Sequence, residues 1–496
     1  MFMASAPQEI EVGIPNITPR LIPHAKLVFT LVITAVFLDV VDFSIVQVAL
    51  PTIRDQFAVS LADSQWLIGA YGITMAGLLM ISGRAGDIYG QKKLFISGIV
   101  LFTLASLTGG FASSFLFLVT SRAIQGIGAA ISSVTALAIF IELFPEGPQR
   151  NKALGIFVAV LSAGFAAGAV AGGILTVSLG WRSVMFVNVP LGAVAAVLSQ
   201  KYLADDKGRL QNRHLDIPGA LSLTSGLMLL VYGLTNAGNV GFSAPSAVVP
   251  TITSITILML FVAIEIRSKA PLVPLGFLRR GSVLSANVLG LIIGAIVAGL
   301  SFIFTVYLQQ ILGYSPLYAG LGVLPGAIIF FVVGGWGASR FVNLLGVRKV
   351  LVMSTALVAL GSLALTNISP HGSYIDAVPG LILFALGGSI GMPSLNMAAF
   401  AGTKPGEEGL ASGLISTSMR VGFPLGLALL LTVAAAASGA IGLANPSASA
   451  AASVVLGFRY ALFAAAALGI LGVLVALKIK DPPRFSPENG SQANLS

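Results

Sequence analysis

The chain has 496 residues, of which 56% are hydrophobic and only 9% are charged, and its formal net charge is +9. Because a soluble globular protein carries about 25% charged residues, this composition excludes a soluble enzyme, a nucleic-acid-binding protein and a disordered protein. The sequence contains no cysteine, which also excludes disulfides, thiol catalysis and cysteine-ligated metals.

Fourteen apolar stretches follow one another along the chain, each near the roughly 20 residues that a helix needs to cross a bilayer. They lie at 26–49, 64–83, 94–112, 115–143, 152–178, 184–203, 216–236, 246–266, 284–312, 317–340, 349–368, 377–400, 409–437 and 456–478. The sequence therefore predicts an all-α polytopic membrane protein with fourteen transmembrane helices.

The loops differ strongly in basic charge. If successive helices alternate in direction, 22 of the 27 Lys and Arg residues fall on the side that holds both tails, three fall on the opposite side, and Arg122 and Arg420 lie inside predicted helices. Because basic loops stay in the cytoplasm, we expect both termini to be cytoplasmic. The N-terminal residues lack a leading apolar core, so we interpret them as a tail and not as a signal peptide.

Two helices near 216–236 and 246–266 look inserted between two sets of six, and the loop before them is the most polar linker in the chain. YGQKKLF at 89–95 and LGVRKVL at 345–351 follow helices 2 and 10, which are corresponding positions in the two sets. Two six-helix bundles around a midplane cavity are typical of transporters. The predicted divisions are a cytoplasmic tail at 1–25, a bundle at 26–203, the linker and inserted pair at 204–283, a second bundle at 284–480 and a cytoplasmic tail at 481–496.

Two acidic residues, Asp39 and Asp42, lie three positions apart in predicted helix 1. This spacing places both carboxylates on one helix face, one turn apart. Burial and a neighbouring like charge each raise a carboxyl pKa, so such a pair would bind at least one proton and titrate as a unit. We expect Asp42, together with Asp39, to carry protons; in the alternative, one carboxylate faces water and the other bonds to a neighbouring helix.

Predicted helix 4 contains Arg122, and predicted helix 5 contains a row of glycines. A charge at membrane depth costs about 2.5–3.5 kcal/mol on insertion scales, so Arg122 should face a partner inside the bundle unless it reaches an interface. Gly164, Gly168 and Gly172 are spaced four apart. They therefore line one face and admit a close helix neighbour, with generic small-residue packing as the alternative.

The loop GRAGDIYGQKK at 83–93 joins helices 2 and 3. Gly83 and Gly90 permit tight turns and close approach. Asp87 can lie at a helix end or pair with an arginine, and Lys92 can face the anionic cytoplasmic leaflet. A loop that only sets the topology is the alternative.

These segments resemble the major facilitator superfamily. The loop at 83–93 resembles the family pattern G-x-L-x-D-x-x-G-R-K/R at Gly83, Asp87, Gly90 and Lys92. That resemblance implies a gate latch in which Asp87 makes a charge-relay contact. RAIQGIGAA at 122–130 resembles the helix-4 pattern R-x-x-Q-G-x-G-A, which implies a role for Arg122 near proton transfer.

Three further segments narrow the resemblance. SAGFAAGAVAGG at 162–173 resembles the antiporter motif G-x-x-x-G-P-x-x-G-G, which the family uses at the contact between its fifth and eighth helices and which marks exporters. VDFSIVQVALP at 41–51 and GWRSVMFVNVPLG at 180–192 resemble the fourteen-helix drug:proton antiporter branch. Arg420 resembles a helix-13 arginine of that branch. The resemblance implies the major facilitator fold, two six-helix bundles plus two inserted helices, and a conformational role for Arg420.

The sequence thus favours proton-coupled export of lipophilic drugs or toxic compounds, cations among them, from the cytoplasmic membrane of a bacterium. The alternative is a proton-coupled transporter of one physiological metabolite or lipid. A membrane enzyme is not expected, because the three histidines are scattered over separate segments. The side chains that we expect to line the cavity are Trp66, Tyr71, Phe165, Tyr307, Gln310, Trp336, Asn396 and Met397. We expect a monomer with a small-molecule substrate, protons as the coupling ion, no cofactor or metal, and no nucleic acid.

Overall fold

The computed structural model describes residues 25–144, 148–206, 215–268, 271–273, 275–278, 280–400, 403, 408–438 and 448–480. Within these ranges the chain forms fourteen long helical segments. They are α1 (Ala25–Phe57), α2 (Trp66–Tyr89), α3 (Gln91–Gly110), α4 (Phe115–Leu143), α5 (Pro148–Leu179), α6 (Arg182–Tyr202), α7 (Ile217–Val240), α8 (Pro245–Arg267), α9 (Val283–Ile311), α10 (316–345), α11 (Val347–Leu365), α12 (Tyr374–Phe400), α13 (Glu408–Ser438) and α14 (Ala448–Ala476). The prediction of an all-α membrane protein with fourteen helices is confirmed for the described part of the chain.

Helices α1–α6 and α9–α14 pack in the same way. In the first set α1 packs on α5, α3 on α4 and α3 on α6. In the second set the corresponding helices make the same pairs: α9 packs on α13, α11 on α12 and α11 on α14. We call these two sets the first half and the second half. The matching contacts show that one packing scheme is used twice.

Helices α7 and α8 form a hairpin on the side of the molecule. α7 packs against α2 of the first half and α13 of the second. Gln65 Nε2 donates to Thr235 Oγ1 at 2.8 Å, and Thr432 Oγ1 donates to the carbonyl oxygen of Leu234 at 2.7 Å. α8 lies outside α7 and leaves most of its apolar surface exposed. The inserted hairpin therefore bridges the two halves along one lateral seam.

Among the described residues, the largest buried hydrophobic cluster joins the two halves toward one of the two faces of the molecule. We call the face where α1 begins the terminal face, and the opposite one the distal face. Toward the distal face, one cluster of buried side chains contains residues of both α1 and α9, and Arg54 Nη1 donates to Gln310 Oε1 at 2.7 Å. Toward the terminal face the buried residues form two clusters, one around Phe140 in the first half and one around Leu395 in the second, and Met80 of the first half packs against the latter from outside. The described residues thus show a molecule closed at its distal face.

Candidate functional site

A charged network lies buried in the first half around Asp42, whose side chain is 0% exposed. Arg122 Nη1 donates to Asp42 Oδ2 at 2.5 Å and to Gln125 Oε1 at 2.7 Å. Gln125 Nε2 and Asn188 Nδ2 both donate to Asp42 Oδ1, at 2.9 and 2.7 Å. A carboxylate on α1 therefore accepts hydrogen bonds from α4 and α6, and the ion pair offsets the cost of burying both charges.

Arg122 is held from α2 as well as from α1. Its Nε donates to the carbonyl oxygen of Leu67 at 3.0 Å. Its guanidinium carbon lies 4.3 Å from the ring centre of Tyr71, within the range of a cation–π contact. Gly126 of α4 lies against the Tyr71 carbonyl, where a Cβ would collide with the backbone of α2. The glycine allows α2 and α4 to approach closely enough to hold the guanidinium between them.

Asp39 has a second, separate set of partners. The Tyr71 hydroxyl donates to Asp39 Oδ1, and Ser133 Oγ donates to Asp39 Oδ2 at 3.3 Å. Arg420 Nη2 of α13 donates to Asp39 Oδ2 at 3.2 Å, and Arg420 also contacts the sulfur of Met75. The Asp39–Arg420 ion pair joins the two halves, with the arginine side chain 29% exposed and the carboxylate side chain 6% exposed.

The two carboxylates do not form the single like-charge pair that their spacing predicts. Each faces its own guanidinium, and Tyr71 lies between the two ion pairs through its ring contact with Arg122 and its hydroxyl bond to Asp39. A three-residue step on a helix rises about 4.5 Å and leaves an offset of about 60°. That offset is enough for Asp42 to face α4 and α6 while Asp39 faces α2 and α13.

The loop after α2 is fixed by the segment that leads to the inserted hairpin. Gly90 has a φ of +102°, and a Cβ there would lie 2.7 Å from the carbonyl oxygen of Asp206. The Asp206 carboxylate accepts from the backbone N–H groups of Gln91 and Lys92, at 2.5 and 3.2 Å. Asp206 therefore caps α3, where its negative charge also meets the positive end of the helix dipole.

Lys92 makes the other contact between these two segments. Its Nζ lies 2.8 Å from Asp205 Oδ1, and this ammonium lowers the pKa of the exposed Asp205 carboxyl. The contact is therefore present at neutral pH and is lost as the pH falls through that lowered pKa. Asp87 accepts from Gln91 Nε2 at 2.9 Å, and Gly83 packs against α4. The predicted latch residues thus lie together at the terminal face.

The glycines of α5 face α1. A Cβ at Gly168 would lie 2.7 Å from the carbonyl oxygen of Val41, and Gly164 and Gly172 also lie against α1. The contact between α5 and α10 is made one position further round the helix, where the Ala169 carbonyl meets a glycine of α10. With the inserted pair left out of the count, the eighth helix is α10, and α5 does contact α10, at Ala169 and Gly173. The glycines spaced four apart make a different contact, since they bring α5 against the helix that carries the two acids.

The first-half side chains expected in a cavity have structural contacts. The Trp66 ring centre lies 6.4 Å from that of Tyr232 on α7, so this tryptophan belongs to the lateral seam. Tyr71 belongs to the charged network. The carbonyl of Phe165 accepts from Ser44 Oγ at 2.7 Å, which ties α5 to α1, and its side chain is half-buried.

The second-half candidates divide between the distal closure and α12. Tyr307 is fully buried, and its hydroxyl donates to a backbone carbonyl at 3.1 Å. Gln310 accepts the hydrogen bond that joins the two halves at the distal face. Tyr307 is therefore inaccessible in this conformation, whereas Gln310 is half-buried. The side chain of Trp336 lies outside the described residues. On α12, Met397 is exposed, and Asn396 Oδ1 is buried with no hydrogen-bond partner in the described part of the chain.

Two members of the network were missed in the sequence, Gln125 and Asn188. Gln125 lies three residues after Arg122 and therefore on nearly the same face of α4, which was a usable signal. Asn188 is the first residue after the break in α6, and nothing local indicates that it reaches α1. Among the described residues, no cluster of His, Asp or Glu could hold a metal ion.

Two repeated six-helix halves, joined at one face and carrying paired charges buried between helices, define a membrane transporter. Residues 32–427 match the family model of the Major Facilitator Superfamily, and the chain belongs to this superfamily. It is therefore a multi-pass membrane transporter of small molecules and not an enzyme.

Three of its relatives are named for antibiotic export or for drug resistance. The chain is 36% identical to the cephamycin export protein CmcT of Amycolatopsis lactamdurans, over 82% of this chain and 85% of the relative. It is 35% identical to the puromycin resistance protein pur8 of Streptomyces alboniger, over 93% and 92%. It is 32% identical to the multidrug resistance protein Stp of Mycobacterium tuberculosis, over 81% and 74%. These relatives are consistent with the drug:proton antiporter branch that the motifs resemble.

The fold is also that of a solved transporter. The structure of the human organic anion transporter MFSD10 (TETRAN) superposes with a TM-score of 0.61 at 16% identity, covering 92% of this chain and 100% of that one. At this identity the likeness concerns the fold alone.

Proposed function

We propose that this protein is a proton-coupled exporter that exchanges external protons for a lipophilic drug or toxic compound. The observation that carries the proposal is the pair of buried acids, Asp42 and Asp39, each bound to an arginine at membrane depth. Ionisable groups in that position are expensive and are expected to serve transport. The export and resistance proteins among its relatives support the direction of transport.

The proposed location and orientation in the membrane rest on the uneven distribution of basic residues between the loops. We propose that the protein lies in the cytoplasmic membrane of a bacterium as a monomer, with its terminal face in the cytoplasm. In that orientation the closed distal face is external, and we propose that the halves open on the cytoplasmic side. Substrate would enter between the halves from the cytoplasm and meet the half-exposed Arg420 and the α12 side chains Asn396 and Met397.

Protons act on the two ion pairs. A proton that neutralises Asp39 removes the negative charge that holds Arg420, and with it an ion pair between the halves. The halves can then rock about the midplane and return once the proton leaves on the cytoplasmic side. The driving force is about 2.3 kcal/mol per charge per 100 mV, plus about 1.4 kcal/mol per pH unit. No cofactor takes part, and protons are the coupling ion.

The test is transport by purified protein in proteoliposomes with an imposed pH gradient, using puromycin and the lipophilic cation ethidium as probes. Gradient-driven movement should be lost in Asp42→Asn and strongly reduced in Asp39→Asn. Asp63→Asn is the matched control, because Asp63 lies at the distal end and outside the network. Full gradient-driven transport by Asp42→Asn would rule out the proposed coupling site.

The second candidate is a proton-coupled transporter of one physiological compound. It is favoured by the likeness to a protein named for the export of a single antibiotic class. Mutual competition between puromycin and ethidium would support the multidrug function. Strict selectivity for one compound would support the single-substrate one.

A further inference from the structure

A cavity of about 400 Å³ lies at the terminal face, between the start of α7 and the end of α8. Its apolar wall is formed by Pro218, Leu260, Ala263 and Ile264, and its polar groups include Asp216 and Arg267. Helix α7 begins here and helix α8 ends here, so the cavity lies where a membrane-spanning segment meets the headgroup layer. None of its lining residues belongs to the charged network of the first half.

Asp216 has one carboxylate oxygen that needs a partner. The residue is 5% exposed, and its Oδ1 accepts from the backbone N–H of Gly219 at 2.8 Å, which caps α7. Its Oδ2 is buried with no hydrogen-bond partner in the described part of the chain. A buried carboxylate oxygen without a donor is unfavourable. This atom therefore indicates a ligand that donates hydrogen bonds.

The charge around Asp216 favours a cationic donor. The Glu265 carboxylate lies close enough to Asp216 for electrostatic repulsion. Glu265 is already engaged, since its two oxygens accept from the backbone N–H groups of Leu272 and Val273 at 3.3 and 3.0 Å. Two neighbouring carboxylates with one unpartnered oxygen attract an ammonium group more strongly than a neutral donor.

Arg267 supplies the opposite charge in the same cavity. It lies in the last turn of α8 with an exposed side chain, and no ion pair joins it to Asp216 among the described residues. Leu260, on the same helix about two turns earlier, is 54% exposed. A cation, a carboxylate and an apolar wall thus line the same cavity at the end of the hairpin.

We propose that this cavity binds a phospholipid whose headgroup carries a primary amine, of the phosphatidylethanolamine type. The lipid ammonium donates to Asp216 Oδ2, the phosphate pairs with Arg267, and an acyl chain lies along Leu260 and Ile264. Phosphate alone does not account for the site, because a carboxylate stands beside it. The bound lipid fastens the inserted hairpin to the bilayer and takes no part as a transported substrate.

The test compares three lipids with identical acyl chains on the full-length protein, by native mass spectrometry from detergent. Phosphatidylethanolamine should bind about tenfold more tightly than phosphatidylcholine, because methylation removes the N–H donors and keeps the charge. Phosphatidylglycerol, which has phosphate and no amine, should also bind more weakly. This comparison needs no variant, so equal binding of the first two lipids, or tightest binding of phosphatidylglycerol, overturns the proposal.

Two variants assign the contacts. Asp216→Asn should abolish the preference for phosphatidylethanolamine without unfolding α7, because asparagine caps a helix about as well as aspartate. Arg267→Gln should weaken binding of all three lipids. Asp376→Asn is the matched control, an acid in the first turn of α12 at the distal face, and should keep the wild-type preference. An unchanged preference in Asp216→Asn would overturn the assignment of the amine contact.

Discussion

Replacing Asp42 by Asn should destabilise the folded protein as well as stop coupling. Arg122 is 1% exposed and its Nη1 lies 2.5 Å from Asp42, so the substitution leaves a guanidinium without a counter-charge. Removing one partner of a buried ion pair costs about 3–5 kcal/mol. Arg122 Nη2 and the acceptor Asn188 Oδ1 are both buried without a hydrogen-bond partner in the described residues, so the network keeps one unused acceptor but no second negative charge, and we expect a loss within that range.

The double variant Asp42→Asn with Arg122→Gln separates charge from packing. It removes both charges and keeps side chains that can hydrogen-bond to the neighbouring amides. Most of the lost stability should return, since an uncharged pair carries no desolvation penalty. Gradient-driven transport should stay absent, because the carboxylate that takes the proton is gone. The measurement is the free energy of unfolding in mixed micelles, with Asp42→Asn, Arg122→Gln and the double variant forming a cycle.

Asp63→Asn serves as the control and should cost no more than about 1 kcal/mol, because the amide keeps one acceptor oxygen for the two hydrogen bonds that Asp63 accepts. If Asp42→Asn is as stable as the wild type, the ion pair does not compensate the buried charge. If the double variant is no more stable than the single one, an uncompensated Arg122 is not the cause of the loss. Either result would refute the reasoning from burial.

Arg420→Gln should loosen the closed distal face, because it removes the ion pair between the halves. The sequence has no cysteine, so an Ala49→Cys variant has a single thiol, which is buried in the core that both halves share. Adding Arg420→Gln to this variant should make the thiol react several-fold faster with an impermeant maleimide. An unchanged rate would contradict this role. Gly168→Ala should lower the unfolding free energy by about 1–3 kcal/mol, because its Cβ would meet a backbone carbonyl of α1. Gly164→Ala, whose Cβ would first meet an aromatic side chain that can shift, should cost clearly less, and equal losses would contradict the close-contact reading.

The helices could be predicted from the sequence because a bilayer imposes a length and a polarity on every span. The same rule predicted that Arg122 faces a partner, since an unpaired charge at that depth is unfavourable. This rule does not identify which residue the partner of Arg122 is. Asp42 lies 80 residues from Arg122 and 146 from Asn188, and contacts at such separations depend on how the helices are arranged.

The two acids show where local periodicity stops being informative. The spacing of Asp39 and Asp42 correctly places them on neighbouring parts of α1. Whether they act as one site depends on which helices face that surface. Arg420, which lies 381 residues away from Asp39, gives Asp39 a partner of its own, and the two acids therefore belong to separate ion pairs. The glycine row of α5 is a parallel case, since its spacing predicts a close neighbour but does not select α1 over α10.

The separation of the two ion pairs gives the acids different tasks within the proposed cycle. The Asp42–Arg122 pair lies wholly inside the first half, so a proton there changes the internal energy of that half and leaves its contact with the second half intact. The Asp39–Arg420 pair crosses between the halves, so a proton there acts directly on their relative position. Tyr71 contacts both pairs, through its ring and its hydroxyl, and a change in either pair therefore reaches the other. Tyr71→Phe keeps the ring and removes the hydroxyl, so it should preserve the stability of the Arg122 site while weakening the coupling of protons to movement of the halves. A Tyr71→Phe protein with wild-type gradient-driven transport of puromycin in proteoliposomes would show that the two acids act independently.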